Sequence, residues 1–326
     1  MRLRLLAAAA IPLALSASLS IDAGAVDRPE SATRPITPRS SQAIDTSSRS
    51  DVRAAYKEMW RSADARRPRW IGGDVNNCRP GRLSNGSTRE QLGAINFARR
   101  MAGLRPVALD AASVPKAQAA AIMMSAGNAV NHYPPTSWPC WTQVGYDAAG
   151  MSSLYQGGRR ESNADKIESY LDDWGDINHA VGHRRWFLYP QLTAIGLGGT
   201  ATANVSYLFG RPFNDSAPNP AWVSWPTAGW FPNRLDPRGR WSLSSGDEGA
   251  DFTNATVTVT FDGAPVEGIE IHPPESSPGK PTLVWEMPDS WPREPVGKAT
   301  VTVAGITIDG IPDQARAYDV KLFRSR

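Results

Sequence analysis

The chain has 326 residues, with 35 Lys and Arg set against 32 Asp and Glu, for a formal net charge of +3. A balance this close to neutral gives no electrostatic case for nucleic acid or an anionic membrane as the partner. The length is enough for two domains. Its two cysteines, Cys78 and Cys140, are too few for a zinc–thiolate site; in an oxidising compartment an even count without a CxxC pair predicts one disulfide.

In chain order, the opening MRLRLLAAAAIPLALSASLSIDAGAVD has Arg2 and Arg4, an apolar run and the small residues Ala23-Gly24-Ala25. This pattern predicts a secretory signal peptide over 1–25. Its removal would take Arg2, Arg4 and Asp22 and lower the net charge by one. No later segment reaches the roughly 18 apolar residues of a membrane span, so the expected product is secreted, extracellular or periplasmic. Residues 26–50 are rich in Ser, Pro and Thr and poor in large apolar side chains, which predicts a disordered linker. Residues 51–77 read as a helical N-terminal extension, with Tyr56 and Trp60 one turn apart and able to clasp the main domain.

The next helix is expected in SNGSTREQLGAINFARRMAGLRP. There Ser87 and Glu90 have capping-box spacing, Leu92, Ile95 and Met101 recur at helical intervals, and Gly103 and Pro106 mark the stop. A second helix, VPKAQAAAIMMSAGN, has Pro115 near its first turn and ends before NHYPP. A third covers ADKIESYLDDW, with Ile167, Tyr170 and Leu171 on one face. The runs LTAIGLGGT and ANVSYLFG, broken by glycines, predict a hairpin. Together these make 78–212 an α+β domain. From 213 onward the texture changes: short alternating runs such as Val257, Val259 and Phe261, separated by turns, predict a small all-β, Ig-like sandwich over 213–326.

There are four histidines. His272, in IEIHPP, reads as a surface or turn residue of the β region. The other three surround the third helix, and there the pattern becomes recognisable. Asn96, Arg99, Gly103, Leu104 and Pro106 form N-x-x-R-x-x-x-G-L-x-P. Leu109-Asp110, the helix ending in NHYPP, and GHRRWFLYPQLTAIGLG follow in order. This ordered set, over about 85–210, resembles the CAP superfamily of cysteine-rich secretory proteins, antigen 5 proteins and pathogenesis-related proteins, as a bacterial secreted SCP-like member.

The resemblance implies an α-β-α sandwich whose cleft carries two histidines and two acidic residues, a set that can bind a divalent metal such as zinc. By motif the histidines fall on His132 and His183 and one acid on Asp173. The other acid has no counterpart, because AAGMSSLYQGG puts Met151 or Ser152 in its place. Two imidazoles and one carboxylate would leave a fourth position for water, the layout of a catalytic zinc site. His132, His183 and Asp173 are therefore the catalytic and metal-ligand candidates, with zinc the expected cofactor.

His179 stands four residues before His183, but Gly182 and the family pattern argue for a loop between them. Glu161 and Glu168 are alternative carboxylates, more simply read as solvated helix residues. Ser152 and Ser153 lack a nucleophile elbow. Arg184 and Arg185 read as ion-pair or surface residues. Trp222, Trp225 and Trp230 are expected to fill a joint between the domains and Trp285 the sandwich core.

The resemblance implies a non-enzymatic extracellular binding protein whose cleft takes a lipid- or sterol-like small molecule, a metal, or a cell-surface component. One alternative is a divalent-metal-dependent hydrolase using His132, Asp173 and His183. A second is cell-wall or glycan binding through the β-sandwich.

Overall fold

The computed structural model describes residues 43–275 and 279–325. The expected signal peptide, and residues 26–42 of the expected linker, lie outside the described residues. From 43 onward the chain is packed: Ile44 is buried, its N–H donates to the Arg100 carbonyl at 3.0 Å, and the Trp230 N–H donates to the Thr46 carbonyl at 2.7 Å. Those pairings correct the linker expectation for 43–50. One large apolar side chain was enough to anchor a stretch that otherwise looks like spacer.

Helix α1 (Arg49–Ala55) is capped by the Ser48 hydroxyl and runs through a π-turn at Tyr56–Trp60 into α2 (Arg61–Asp64). Val52, Tyr56 and Trp60 are buried; the two rings meet Phe97 edge-on at 5.8 and 5.9 Å. A short ladder of β1 (Trp70–Ile71) and β2 (Arg82–Leu83) leads into α3 (Asn85–Met101). This helix starts one turn earlier than the spacing predicts. Its N-cap is Ser84, whose hydroxyl accepts from the Ser87 N–H, so Ser87 is inside the first turn and Glu90 is free to pair with Arg66.

The helical region continues through β3 (Ala108–Leu109), α4 (Val114–Gly127), α5 (Gln143–Gly150), β4 (Ser152–Gln156), α6 (Asn163–Asp172), α7 (Gly182–Phe187), β5 (Ala194–Gly199) and β6 (Ala203–Tyr207). The strands form one sheet in the order β3-β5-β6-β4. Strand alternation splits its two faces. Ile195 and Leu197 join the core with α3 and α6, while Ala203, Val205 and Tyr207 join a second core under α4 and α5. The glycines of β5 serve this layering. A Cβ on Gly198 would lie 2.4 Å from the backbone of Ala117, so they let α4 press on the sheet, in addition to flanking the expected hairpin. The disulfide Cys78–Cys140 is present, with Cα atoms 5.1 Å apart.

The remainder is a β-sandwich. Its strands are β7 (Trp222–Trp225), β8 (Gly229–Pro232), β9 (Arg240–Ser245), β10 (Ala250–Asp251), β11 (Thr256–Phe261), β12 (Ala264–Pro265), β13 (Glu270–His272), β14 (Thr282–Glu286), β15 (Gly297–Ile308) and β16 (Ile311–Phe323). One sheet has the order β13-β14-β9-β7 and the other β12-β11-β15-β16-β8. Trp241 and Trp285 from the first sheet and Val301 and Val303 from the second are fully buried. They belong to the same continuous apolar cluster as Phe97, Tyr170 and Phe187 of the helical region. Trp225 is in that cluster too, while Trp222 and Trp230 pack on its edge.

Candidate functional site: a two-histidine cleft

Asp173 lies at the end of α6, in the left-handed conformation that a short polar side chain tolerates (φ 49°). Its buried carboxylate turns toward α7. Oδ2 accepts from the backbone N–H of His183 at 2.8 Å and of Arg184 at 3.3 Å, which supplies the N-terminal cap that Val181 cannot give. Oδ1 lies 2.7 Å from His183 Nδ1. His183 therefore stands in the first turn of a short helix rather than in a loop, and His179, outside that helix, does not share its face.

Burial by itself would lower the His183 pKa, but the Asp173 charge and hydrogen bond outweigh it and hold it above the ordinary imidazole value. His132 follows α4, and its Nδ1 lies 2.9 Å from the Ala149 carbonyl. A carbonyl can only accept, so that nitrogen carries the proton. Both imidazoles thus commit Nδ1 to a partner that fixes the ring and leave Nε2 for a ligand.

Both rings line a cleft of about 740 Å³ between the Val130–Tyr133 segment, β4, the end of α6 and the loop to α7. They also line an adjoining hollow of about 250 Å³ toward Ser152, Trp186 and Phe209. The sequence candidates His132, His183 and Asp173 are therefore neighbours of one cleft, but they do not converge on a point. Among the described residues, the one group of three His, Cys, Asp or Glu ligand atoms within 4.8 Å of one another is His179, His272 and Glu286. Asp173 faces His183 Nδ1 and two backbone N–H groups. The position lacking the family's acid holds the half-exposed Met151 and Ser152, whose hydroxyl donates to the Ala148 carbonyl at 2.6 Å. As it stands, the cleft offers two imidazole nitrogens without a third ligand atom converging on them.

The other candidates find structural partners. Glu161 pairs with the buried Lys166 at 2.6 Å. Glu168 pairs with Arg234 at 2.6 Å and its side chain is 12% exposed, shielded rather than freely solvated; removal from water, with Asp172 nearby, pushes its pKa up to about 8. Arg184 and Arg185 are also buried, not surface residues. Arg184 donates to the Leu171 and Asp172 carbonyls and to Ser242 Oγ at 3.0 Å, and Arg185 to the Lys280 carbonyl at 2.7 Å. Both tie α7 to the sandwich. Ser153 is buried in β4.

Sequence reasoning missed His272, Glu286 and Arg240. His272 is 8% exposed and sits on β13, not in a turn. Arg240 of β9 donates to Glu286 Oε1 and to the carbonyls of Asp173 and Gly175. The one available signal was the β13–β14 alternation, because Arg240 is far from both partners in sequence.

The motif residues outside the cleft are scaffolding. Asn96 exchanges two hydrogen bonds with the backbone of Val107. Arg99 donates to the carbonyls of Arg105, Phe187, Tyr189 and Leu192, which fixes the turn after α7. No curated protein matches the chain. The model of the cysteine-rich secretory protein family, CAP, matches residues 92–209, the stretch that contains α4 to α7, the sheet β3-β5-β6-β4 and both cleft histidines. That segment is a CAP domain, joined in this chain to a C-terminal β-sandwich.

Proposed function

We propose that the protein is an extracellular binding protein whose two-histidine cleft takes a small, largely apolar molecule, lipid- or sterol-like, with a polar end at the imidazoles. One observation carries this reading. Of the ten large apolar side chains left exposed among the described residues, five, Val130, Tyr133, Trp174, Ile177 and Phe209, line the cleft or its adjoining hollow. Ile177 is 95% exposed. Apolar surface concentrated around a concave site with a few polar atoms is the usual composition of a ligand pocket. The Cys78–Cys140 disulfide supports an oxidising, extracytoplasmic location. No described helix is long and apolar enough to cross a membrane.

The test is organic extraction of purified protein followed by mass spectrometry, with titration of a fluorescent long-chain lipid. Ile177→Asp should weaken the probe about tenfold or more, since burying one such side chain is worth roughly 1.5–3 kcal/mol. An empty extract together with no saturable probe binding would refute the reading.

The Asp173–His183 pair favours a second reading, hydrolysis with His183 Nε2 as general base. It predicts turnover of an ester or peptide that disappears in His183→Ala.

A further inference from the structure

His272 and Glu286 lie on adjacent antiparallel strands, and His272 is in register with Val284. Glu286 is two residues beyond Val284 and so shares its face, which places it diagonal to His272. His179, on the loop between α6 and α7, closes a triangle with them. The edges are 3.3 Å from His179 Nδ1 to His272 Nε2, 2.9 Å from His272 Nε2 to Glu286 Oε1 and 3.7 Å from His179 Nδ1 to Glu286 Oε1. Tetrahedral zinc with bonds of about 2.0–2.1 Å separates its ligand atoms by about 3.3–3.4 Å, and the three edges scatter around that value.

We propose that His179, His272 and Glu286 form a zinc site joining the CAP domain to the β-sandwich. It is distinct from the two-histidine cleft.

Three features support it. The donor set, two imidazoles and one carboxylate, suits zinc better than calcium or magnesium, which prefer oxygen ligands. Arg240 holds Glu286 Oε1 through Nε and Nη2 at 2.8 and 2.7 Å. Its Nη1 also reaches the Asp173 and Gly175 carbonyls, so one buried guanidinium orients a ligand and the start of the loop that bears another. The triangle is also open on one side, the His179 side chain being 41% exposed, which leaves an entry path and a fourth position for water.

Without an ion, a proton on His272 Nε2 satisfies Glu286 and leaves two imidazole nitrogens 3.3 Å apart. A divalent cation would replace that proton and bind all three atoms.

The experiment uses the full chain after chelator treatment, with zinc titrated calorimetrically and bound zinc counted by elemental analysis after dialysis. Wild type and the double variant His132→Ala/His183→Ala should each bind one zinc per chain, with a rise in Tm on loading. His179→Ala, on an exposed loop where folding is not at stake, and His272→Gln should each weaken binding by more than about tenfold, since even changes to outer-sphere partners cost that much. Cobalt(II) should show a tetrahedral visible spectrum that is lost in His179→Ala. No zinc bound by wild type, unchanged affinity in His179→Ala, or zinc lost only in the cleft double variant would overturn the proposal. None of these outcomes bears on lipid binding in the cleft, which is read by the probe titration.

Discussion

Asp173 does three things with one carboxylate: it caps α7, orients His183 and holds the His183 charge. Asp173→Asn keeps an acceptor for the cap and the same shape, but removes the charge that offsets burial. The His183 pKa should then fall below its wild-type value, as read from imidazole resonances in an NMR pH titration. An unchanged midpoint would mean that Asp173 does not set it. Arg99 is the structural counterpart. Burial lowers its pKa to about 9, and backbone carbonyls accept its hydrogen bonds. Arg99→Met would take this donor from the buried Phe187 and Leu192 carbonyls, whereas the Tyr189 carbonyl keeps the Leu192 N–H. At about 1–3 kcal/mol for each unsatisfied group, denaturant unfolding should show a loss of about 2 kcal/mol or more. Both residues were visible in the sequence only as letters of a motif. Their roles follow from carbonyl and N–H groups that the tertiary fold brings to them.

At the scale of the elements, periodicity placed α3 and α6 well, because each has an apolar face that repeats at the helical period, while α4 was legible from Pro115 in its first turn and the β5–β6 hairpin from its glycines. The start of α3 was misplaced by one turn, since Ser84 and Ser87 are both competent caps and only the entry from β2 decides between them. Ser84→Ala should cost about 1 kcal/mol in denaturant unfolding, because it removes the N-cap of α3. No measurable loss would restore the later start. Strand β4 and helix α5 were not anticipated: α5 is short and Ala/Gly-rich, and β4 pairs with β6 across more than forty residues. Helix α7 carries no start signal in its own stretch, because its cap is Asp173, eight residues before Val181, and not a neighbouring side chain.

Across the whole molecule, the boundary between the helical domain and the sandwich is crowded with buried charge. Burial raises Asp172 to about 7, partly offset by Arg238 and Arg184. It also raises Asp236 to about 7, against the indole N–H groups of Trp241 and Trp291 that donate to it. Glu168, at about 8, behaves likewise. Each of these acids binds its proton more tightly in the folded chain than at its ordinary value near 4. Their contribution is therefore fully present below about pH 4 and is lost as pH rises through 7 to 8. The raised His183 adds in the same direction, its contribution being present below the ordinary imidazole pKa and lost as pH passes the folded value. Thermal unfolding should accordingly give a higher Tm at pH 5.5 than at pH 8.5, by several degrees; a flat or opposite profile would contradict the assignment.

The sequence by itself determined the fold class, the Cys78–Cys140 pairing, the CAP segment and the two cleft histidines. These are carried by local periodicity, by a count of two cysteines and by an ordered motif, all of which are properties of short stretches. Tertiary structure alone decided what Asp173 faces, where Arg184 and Arg185 go, and that His179, His272 and Glu286 meet. Those outcomes depend on contacts between residues up to about a hundred positions apart, fixed by strand register and by the shared core of the two regions. No local pattern records such contacts.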